Sequence, residues 1–285
     1  MQARRKFALT LPSGVLVLGE RTLVMGVLNV TPDSFSDGGH FLETEKAVKH
    51  ALEMQRAGAD LIDIGGESAR PGAIGISAEE ELRRILPVLR GLRRRLRIPI
   101  SVDTCKVEVA QVALAAGAEM INDISGLRAD PELARVAKRG GVPLVLMHIR
   151  GTPKTMQQLK PAKNIWREVE RGLRWSVERA LKAGVRRGQL LIDPGIGFGK
   201  TVTQNYELLC RLDRLQKFKL PILIGTSRKS FIGKVLGSAP PEQRLFGTAA
   251  AVAASILAGA HIVRVHDVAE MVPVVRVADA ILRAG

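Results

Sequence analysis

A pattern that recurs along the chain constrains its fold more than any other feature. At four places a stretch with helical character ends in Gly and leads directly into a short apolar segment, at 57–64, 116–123, 140–147 and 258–265. Glycine ends helices readily because it adopts the left-handed conformation without steric cost. Short segments that are apolar throughout are typical of strands buried on both faces of a parallel sheet. The pattern therefore predicts helices that alternate with parallel strands.

About eight such strands can be counted, which is the number that closes a (β/α)8 barrel. They centre on residues 24–28, 61–64, 98–102, 120–122, 144–147, 190–192, 222–224 and 262–265. The alternative is an open doubly wound sheet, which a glycine-rich dinucleotide loop after an early strand would favour. The first strand leads into Asn-Val-Thr-Pro at 29–32 instead. We therefore predict the α/β class and a (β/α)8 TIM barrel.

Two local signals complete the predicted architecture. Residues 7–9 and 15–18 flank a turn at 12–14, which predicts an N-terminal β-hairpin. Ser77 and Glu80 have the spacing of a helix-capping box, and leucines recur at helical spacing through 82–97 with arginines on the other face. No linker or low-complexity segment interrupts the series. Residues 1–285 are therefore expected to form a single (β/α)8-barrel domain, with no second unit.

The chain is strongly basic, with 43 Lys and Arg against 28 Asp and Glu and a formal net charge of +15. Nucleic-acid binding is one explanation, but the sequence has no RNA-module signature and its few aromatic residues form no stacking set. A solvated, Arg-rich surface is the simpler explanation. Basic charge would also attract anionic small molecules. We therefore expect small-molecule substrates and no nucleic-acid partner.

The apolar and cysteine content bears on the cellular compartment. The longest uncharged apolar run, 248–260, is too short and too rich in alanine to span a bilayer, so it is expected to be a buried helix. Cys105 and Cys210 are the two cysteines, too few for a disulfide framework. These features predict a cytoplasmic protein with no membrane partner.

Polar residues follow nearly every predicted strand at its C-terminal end. In a barrel these ends share one rim, where active sites lie. An aspartate after a strand often only caps the next helix, and this explanation is as good as a functional one for Asp123 or Asp267 alone. It does not explain the whole set. The residues expected to meet at one mouth are Asn29, Asp103, Asn122, Asp193, Lys229, Arg264 and His266.

The chemistry of this set indicates its ligand. Two carboxylates and an amide can pair with the edge of a flat, nitrogen-rich ring, since carboxylates bind adjacent N–H donors well. Arg264 and His266 suit an anion such as a diphosphate. Asn29 offers a neutral oxygen, and Mg²⁺ commonly takes one or two protein oxygens and fills its shell with phosphate oxygens and water. The residues alone thus predict a planar heterocycle and a phosphorylated group, with Mg²⁺.

Five segments, in order along the chain, resemble signatures of the dihydropteroate synthase family. They are the loop at 29–39, the sequence GGESARPG at 65–72, and the segments at 193–200, 227–230 and 264–266. Together they cover nearly the whole chain. The resemblance implies a transferase of folate biosynthesis that joins a dihydropterin diphosphate to p-aminobenzoate and is a target of sulfonamides. It also implies a homodimer.

The resemblance also implies roles for particular residues. The pterin would be held by Asp103, Asn122, Asp193 and Lys229, the diphosphate by Arg264 and His266, and Mg²⁺ by Asn29. Phe35, Arg70, Pro71 and Ser230 would shape the p-aminobenzoate site. For Met147 and Phe198, contact with the pterin ring and ordinary packing are equally plausible. The residues expected to act in catalysis are Asp103, Lys229, Arg264 and His266.

One position departs from the family pattern, because Ala69 stands where threonine is usual in the diphosphate-side loop. This leaves open a catalytically degenerate paralogue. A second alternative is a methyltransferase barrel that binds methyl-tetrahydrofolate and shares the pterin-binding core. Such barrels do not require the 29–39 loop, the Arg70–Pro71 loop or the Arg264/His266 pair, so this alternative is less favoured.

Overall fold

A computed structural model describes residues 4–31 and 39–284, without the side chains of 39–42. Eight parallel strands alternate with helices and form one sheet in the order β8-β7-β6-β5-β4-β3-β10-β9. A parallel bridge between Ile192 and Ile222 joins the two outermost strands of that order, so the sheet curves into a barrel. The predicted TIM barrel with an N-terminal hairpin is confirmed. A single domain over 1–285 stays a prediction.

The strands match the predicted series closely. The hairpin strands are β1 (Phe7–Leu11) and β2 (Gly14–Leu18). The barrel strands are β3 (Leu23–Asn29), β4 (Leu61–Gly65), β5 (Ile100–Asp103), β6 (Met120–Asp123), β7 (Leu144–Met147), β8 (Leu190–Asp193), β9 (Leu223–Gly225) and β10 (Ile262–Val265). The strand predicted at 98–102 begins two residues later, at Ile100, because Pro99 has no N–H to donate to a ladder.

The helices cover the outer face of the barrel. They are α1 (Gly39–Arg56), α2 (Ala78–Leu92), α3 (Val107–Ala115), α4 (Leu133–Gly140), α5 (Ile165–Lys182), α6 (Val202–Cys210), α7 (Ser230–Val235), α8 (Leu245–Leu257) and α9 (Val268–Ala284). Helix α8 contains most of the apolar run at 248–260, and its buried face confirms that prediction. In the described ranges, no helix has both the length and the apolar character to cross a membrane.

Helix α2 begins where the sequence predicts and ends five residues earlier than the leucine spacing predicts. The Ser77 hydroxyl accepts a hydrogen bond from Glu80 N at 3.1 Å, so the predicted N-cap is confirmed. The prediction of helix through 97 is wrong, because the helix ends at Leu92 and Arg94 adopts φ +69°. The chain must turn there to enter β5, and Leu96 keeps only partial burial against the core.

The hairpin closes the N-terminal end of the barrel. Leu9, Leu11 and Leu18 are buried and pack against inward-facing side chains of the barrel strands, including Met25 and Met120. A second and larger core lies between the strands and the surrounding helices. The interior of the lower half of the barrel is thus filled with apolar side chains, and the polar strand ends lie at its C-terminal mouth.

His261 links the hairpin end of the barrel to its sheet. Its Nδ1 accepts a hydrogen bond from Ile222 N at 3.1 Å, and its Nε2 lies 3.0 Å from the carbonyl oxygen of Arg5. A carbonyl can only accept, so the ring is neutral with its proton on Nε2. Burial lowers the pKa of His261 to about 4, although the Arg5 carbonyl opposes this shift.

This burial predicts a measurable loss of stability in acid. The folded state holds the pKa of His261 at about 4, below its usual value of 6.5, so the unfolded chain binds more protons between these values. Stability from His261 is therefore present above pH 6.5 and is lost as the pH falls towards 4. Between pH 7 and pH 5 we expect this residue to cost the wild type about 2 kcal/mol of unfolding free energy.

Urea unfolding of the wild type and of His261→Gln at both pH values measures this contribution. The wild type should lose more stability than the variant by that amount, while His50→Gln, at an exposed histidine of α1, should behave as the wild type does. An equal pH response of the wild type and His261→Gln would contradict the assignment.

Candidate active site

Arg264 of β10 organises the barrel mouth. Its Nε donates to Asp63 Oδ2 at 2.6 Å and its Nη2 donates to Asp103 Oδ2 at 2.8 Å. The two acidic residues stand on the neighbouring strands β4 and β5, and all three side chains are largely removed from solvent. The carboxylates raise the pKa of Arg264 against the opposing effect of burial, so the guanidinium stays charged.

Asp63 is a residue that the sequence prediction missed. It is fully buried, and its Oδ2 also accepts a hydrogen bond from Asn122 Nδ2 at 2.9 Å. Asp63 therefore orients both Arg264 and Asn122. A signal was present, since Asp63 is the charged residue of an otherwise apolar strand. It was passed over because it precedes the end of β4 by two residues.

The surroundings of Asp103 raise the pKa of its carboxyl group. Burial raises the pKa of Asp103 to about 8, the Arg264 guanidinium opposes the shift, and the Asp63 carboxylate adds to it. A carboxyl group in this state can accept a hydrogen bond when ionised and donate one when neutral. Gly65 lies beside it on β4, where a Cβ would come within 3.4 Å of Asp103 Cβ.

Asp193 and Lys229 lie beside the Arg264 cluster, at the end of β8 and in the loop after β9. Asp193 Oδ1 accepts a hydrogen bond from Gly195 N at 2.6 Å, and Lys229 Nζ donates to the carbonyl of Ile196. Burial lowers the pKa of Lys229 to about 8, and the Asp193 carboxylate opposes that shift. The pKa of Asp193 is raised by burial, with Lys229 acting against it. The two groups therefore stabilise each other's charged forms.

A small apolar cluster lies beside these charges. Met147, Ile149 and Met156 are buried together, and Ile124 and Phe198 pack against them. The Lys229 ammonium lies 4.5 Å above the centre of the Phe198 ring, a cation–π contact. Met147 and Phe198 thus pack on each other, and their contact with a ligand ring stays a prediction.

Lys200 holds the loop that follows β8. Its buried ammonium donates to three carbonyls, those of His148 (3.2 Å), Gly195 (2.7 Å) and Phe198 (2.9 Å). Burial lowers the pKa of Lys200 well below its usual value. Gly195 has φ +68°, and a Cβ there would collide with the His148 carbonyl, so the loop requires glycine at this point. Lys200 was part of a predicted motif, but its role in anchoring the loop was not predicted.

His266 is neutral where the sequence suggested an anion-binding histidine. Burial lowers the pKa of His266 to about 3, with Arg264 and Arg228 adding to the shift. Ser227 Oγ accepts a hydrogen bond from His266 N at 3.2 Å and lies 3.0 Å from its Nδ1. When the hydroxyl donates its proton to Nδ1, the ring proton lies on Nε2. His266 can bind an anion as a neutral N–H donor.

Asp123 and Asp267, for which a capping role was as good an explanation as a functional one, both hold loops in place. Asp123 accepts hydrogen bonds from Ser125 N at 2.8 Å and Leu127 N at 2.6 Å, which shapes the turn after β6. Asp267 forms a two-point ion pair with Arg228, and this pair ties the loops after β9 and β10 together. Neither carboxylate contacts the Arg264 cluster by a hydrogen bond within the described ranges.

The residues expected at the p-aminobenzoate site lie at the edge of the mouth. Arg70 and Pro71 are exposed in the loop after β4, next to the half-buried Ala69, and Ser230 is exposed at the first position of α7. Phe35 lies outside the described residues. The structure places these residues, and their roles stay predictions.

The base of that loop is fixed by buried charge. Lys106 Nζ bridges the carboxylates of Glu67 and the fully buried Glu81, and Arg84 Nη1 donates to the Gly66 carbonyl at 2.9 Å. Glu67 also accepts a hydrogen bond from Ile76 N at 3.3 Å, which draws the two ends of the loop together. Arg70 and Pro71 therefore stand at the tip of a loop whose base is rigidly held.

Asn29 has the chemistry that a magnesium ligand needs. It ends β3 beside Gly65, is half-buried, and forms no side-chain hydrogen bond with any residue in the described ranges. Its amide oxygen is thus available to a hard cation. Within the same ranges, no group of three or more His, Cys, Asp or Glu residues is arranged to hold a metal ion.

Known proteins resemble this chain in sequence and in fold. The family model for pterin binding enzymes matches residues 25–266. A dihydropteroate synthase from Synechocystis sp. is 49% identical over 265 residues, which cover 93% of this chain and 92% of the relative. The solved Yersinia pestis dihydropteroate synthase with a sulfonamide drug has a TM-score of 0.91 at 44% identity and covers 98% of this chain and 100% of its own. The Xanthomonas albilineans enzyme with 4-aminobenzoic acid has a TM-score of 0.90 at 44% identity, over 97% of this chain and 98% of its own.

A (β/α)8 barrel whose mouth combines carboxylates, an amide, a lysine and an arginine is a pterin-binding barrel, and the matches agree. Within that class, this chain belongs to the dihydropteroate synthase family, the transferases of folate biosynthesis. The methyltransferase alternative is therefore set aside.

The Asp63 contacts predict a positioning role that can be measured. Asp63→Asn removes the charge that holds Arg264 and orients Asn122, and a hydrogen bond to a charged group is worth about 1.5–3 kcal/mol, or roughly 10–100-fold in rate. We expect kcat/KM to fall by that factor while the fold survives. The loss of a neighbouring negative charge should also lower the pKa of Asp103, so the corresponding limb of the pH profile of kcat/KM should move to lower pH.

Asp60→Asn is the matched control. Asp60 precedes the same strand at its opposite end and pairs with Arg21, so its loss should lower stability and leave the pH profile unchanged. If kcat/KM and its pH profile are the same in Asp63→Asn and the wild type, Asp63 is not a positioning residue.

Proposed function

We propose that this chain condenses a (7,8-dihydropterin-6-yl)methyl diphosphate with p-aminobenzoate to give 7,8-dihydropteroate and diphosphate. The C–O bond between the methylene carbon and the diphosphate breaks, and a C–N bond to the arylamine forms. The amine loses one proton, which leaves with the diphosphate or to water. The observation that supports this best is the Arg264–Asp63–Asp103 cluster, with Asp193 and Lys229 beside it in one mouth.

The pterin ring fits the polar side of the mouth. Asp193 keeps one carboxylate oxygen free of the Gly195 bond, and Asn122 has its amide oriented by Asp63. These groups match the N–H donors and acceptors along the edge of a pterin. Asp103, with its pKa near 8, can serve a ring nitrogen in either protonation state. Met147 and Phe198 supply an apolar face beside the ring.

The leaving diphosphate is assigned to Arg264 and His266. A guanidinium binds phosphate oxygens through parallel N–H donors, and the neutral His266 offers its Nε2 proton. Fixed donors that are already in place stabilise the charge that develops as the C–O bond breaks. Ala69 lacks the hydroxyl of the usual threonine, a contact worth only about 0.5–1.5 kcal/mol, so its absence is compatible with activity.

Mg²⁺ is proposed as the metal, with Asn29 as its protein ligand. The half-buried Asn29 amide, without a hydrogen-bond partner in the described ranges, fits a cation that shares its shell with phosphate oxygens and water. When bound, Mg²⁺ would neutralise charge on the leaving diphosphate. Asn29 would hold that ion at the end of β3, and Arg264 and His266 would bind the anion from the end of the neighbouring strand β10.

The second substrate is assigned to the exposed edge of the mouth. Arg70 at the tip of its anchored loop has a free guanidinium in the described structure, and it can pair with the carboxylate of p-aminobenzoate. Pro71, Ser230 and, from outside the described residues, Phe35 would border the ring. The solved relatives from Xanthomonas albilineans and Yersinia pestis, which hold 4-aminobenzoic acid and a sulfonamide drug, support this class of substrate and inhibitor.

We propose a homodimer formed through α8 and α9. An apolar groove between these helices is lined by Leu257, Val274, Val277 and Ile281, and Val277 is 61% exposed. A contiguous apolar surface of this kind is typical of a protein interface. We further propose that the enzyme works in the cytoplasm, since Cys105 and Cys210 are both free thiols.

The reaction is tested by mixing the protein with dihydropterin diphosphate, p-aminobenzoate and Mg²⁺ and measuring dihydropteroate and diphosphate. We expect equal amounts of both products, and loss of the reaction when Mg²⁺ is chelated. Asp193→Asn should weaken pterin binding about 10–100-fold, the value of a charge-assisted hydrogen bond. Diphosphate release without dihydropteroate, or pterin binding unchanged in Asp193→Asn, would contradict the proposal.

The dimer is tested by light scattering of the wild type and two matched variants. Val277→Glu places a charge in the α8–α9 groove and should give a monomer. Val15→Glu changes a valine of similar exposure, 62%, on the hairpin and should leave a dimer. A monomeric wild type, or a Val277→Glu variant that stays dimeric, would overturn this interface.

A further inference from the structure

A second polar cavity lies outside the barrel mouth, between the loop after β7 and helix α5. It encloses about 290 Å³, and its lining includes Arg128, His148, Arg150, Glu168 and Arg171. We refer to it as the α5 cavity. The residues of the Arg264 cluster, and Asp193 and Lys229, do not line it. It is therefore separate from the site assigned to the reaction.

The α5 cavity carries an excess of positive charge. Its lining has three guanidinium groups against one carboxylate, that of Glu168, which pairs with Arg150 at 2.6 Å. Arg128 donates to backbone carbonyls, including Gly172 O at 3.2 Å, and burial lowers its pKa. Arg171 is exposed and forms no hydrogen bond or ion pair with any residue in the described ranges. Two of the three cations thus lack an anionic partner in that part of the chain.

A buried histidine adds a specific polar atom to this cavity. His148 is only 4% exposed, and its Nδ1 is buried without a hydrogen-bond partner in the described ranges. Burial, and then the charges of Lys200 and the three arginines of the cavity, lower the pKa of His148 well below its usual value. A buried polar atom left unpaired costs free energy, so a hydrogen-bonding group that reaches Nδ1 from the cavity would be stabilised there.

The packing of α5 keeps the histidine in this place. Gly172 faces the ring, and a Cβ at that position would collide with His148 Cδ2. The glycine therefore brings the helix close to the ring and leaves Arg171, the preceding residue, at the cavity edge. A cavity fixed by a close helix contact, with a buried unpaired nitrogen and two uncompensated guanidinium groups, has the features of a built anion site.

We propose that the α5 cavity binds a small, multiply charged oxyanion of the size and charge of phosphate, held by Arg171, Arg128 and His148. Guanidinium groups match the oxygens of phosphate through paired N–H donors. The volume lies at the lower end of the range for ligand sites, which suits a small anion and not a large cofactor. An anion would also favour the protonated form of His148, which then donates from both ring nitrogens.

Hydrogen bonds connect residues that line the α5 cavity to the loop that carries Phe198. The carbonyl of His148 accepts a hydrogen bond from Lys200, and Arg150 Nη1 donates to Gly199 O at 2.9 Å. A bound anion would fix His148, one of the two residues against which that loop is packed. The site is thus independent of the proposed reaction and adjacent to one of its loops.

The test uses ¹⁵N-histidine-labelled protein titrated with inorganic phosphate against sodium chloride of equal ionic strength. The chain has five histidines, whose ring signals can be assigned from single His→Gln variants. We expect a saturable shift of the His148 ring signals towards the protonated form. Arg171→Gln should weaken phosphate binding about tenfold, since charge-assisted hydrogen bonds are the strong ones. Arg171→Lys, which keeps the charge, should fall between that variant and the wild type.

Arg174→Gln is the matched control, because Arg174 is exposed on the same helix, carries the same charge and does not line the cavity. It should bind phosphate as the wild type does. Circular dichroism of each variant confirms that the fold is retained. A shift at His266 without one at His148 would place the phosphate in the reaction site and overturn the proposal. Equal weakening by Arg171→Gln and Arg174→Gln, or a shift that sodium chloride reproduces, would overturn it as well.

Discussion

The guanidinium of Arg264, enclosed between the carboxyl groups of Asp63 and Asp103, determines how the other polar groups of the barrel mouth are arranged. Removing one partner of a buried ion pair leaves an uncompensated charge, which costs about 3–5 kcal/mol. The Asp63 oxygen that accepts from Arg264 also accepts a hydrogen bond from Asn122 Nδ2, so it fixes the orientation of that amide as well. These contacts fix the donors for an anion and the acceptors for a ring edge relative to one another, which is the arrangement that electrostatic stabilisation requires.

The parts of the site that the sequence predicts are those that strand order alone determines. Parallel strands in a barrel share one rim, so Asp103, Asn122, Asp193 and Arg264 could be expected to meet from their positions at strand ends. Asp63 was missed because the prediction considered only the residues that end or follow a strand. An inward-facing charge inside a buried strand is an equally strong signal, since such a charge requires a partner.

Other features depend on contacts that no local pattern contains. Lys200 holds three carbonyls of two loops, and Lys106 joins Glu67 to Glu81 across separate elements. The end of α2 at Leu92 is set by the path into β5, although the leucine spacing continues beyond it. His266 was expected to bind an anion, but its neutral state follows from burial beside Arg264, which sequence position does not reveal.

A double-mutant cycle on Asp63 and Arg264 tests most directly whether they act as one unit. The kcat/KM for dihydropteroate formation is measured for Asp63→Asn, Arg264→Gln and the double variant. If Asp63 acts by holding Arg264, the double variant should be within about threefold of Arg264→Gln alone, because coupled residues are not additive. Losses that multiply, so that the double variant falls by the product of the two single effects, would show that the residues act independently and would contradict this account.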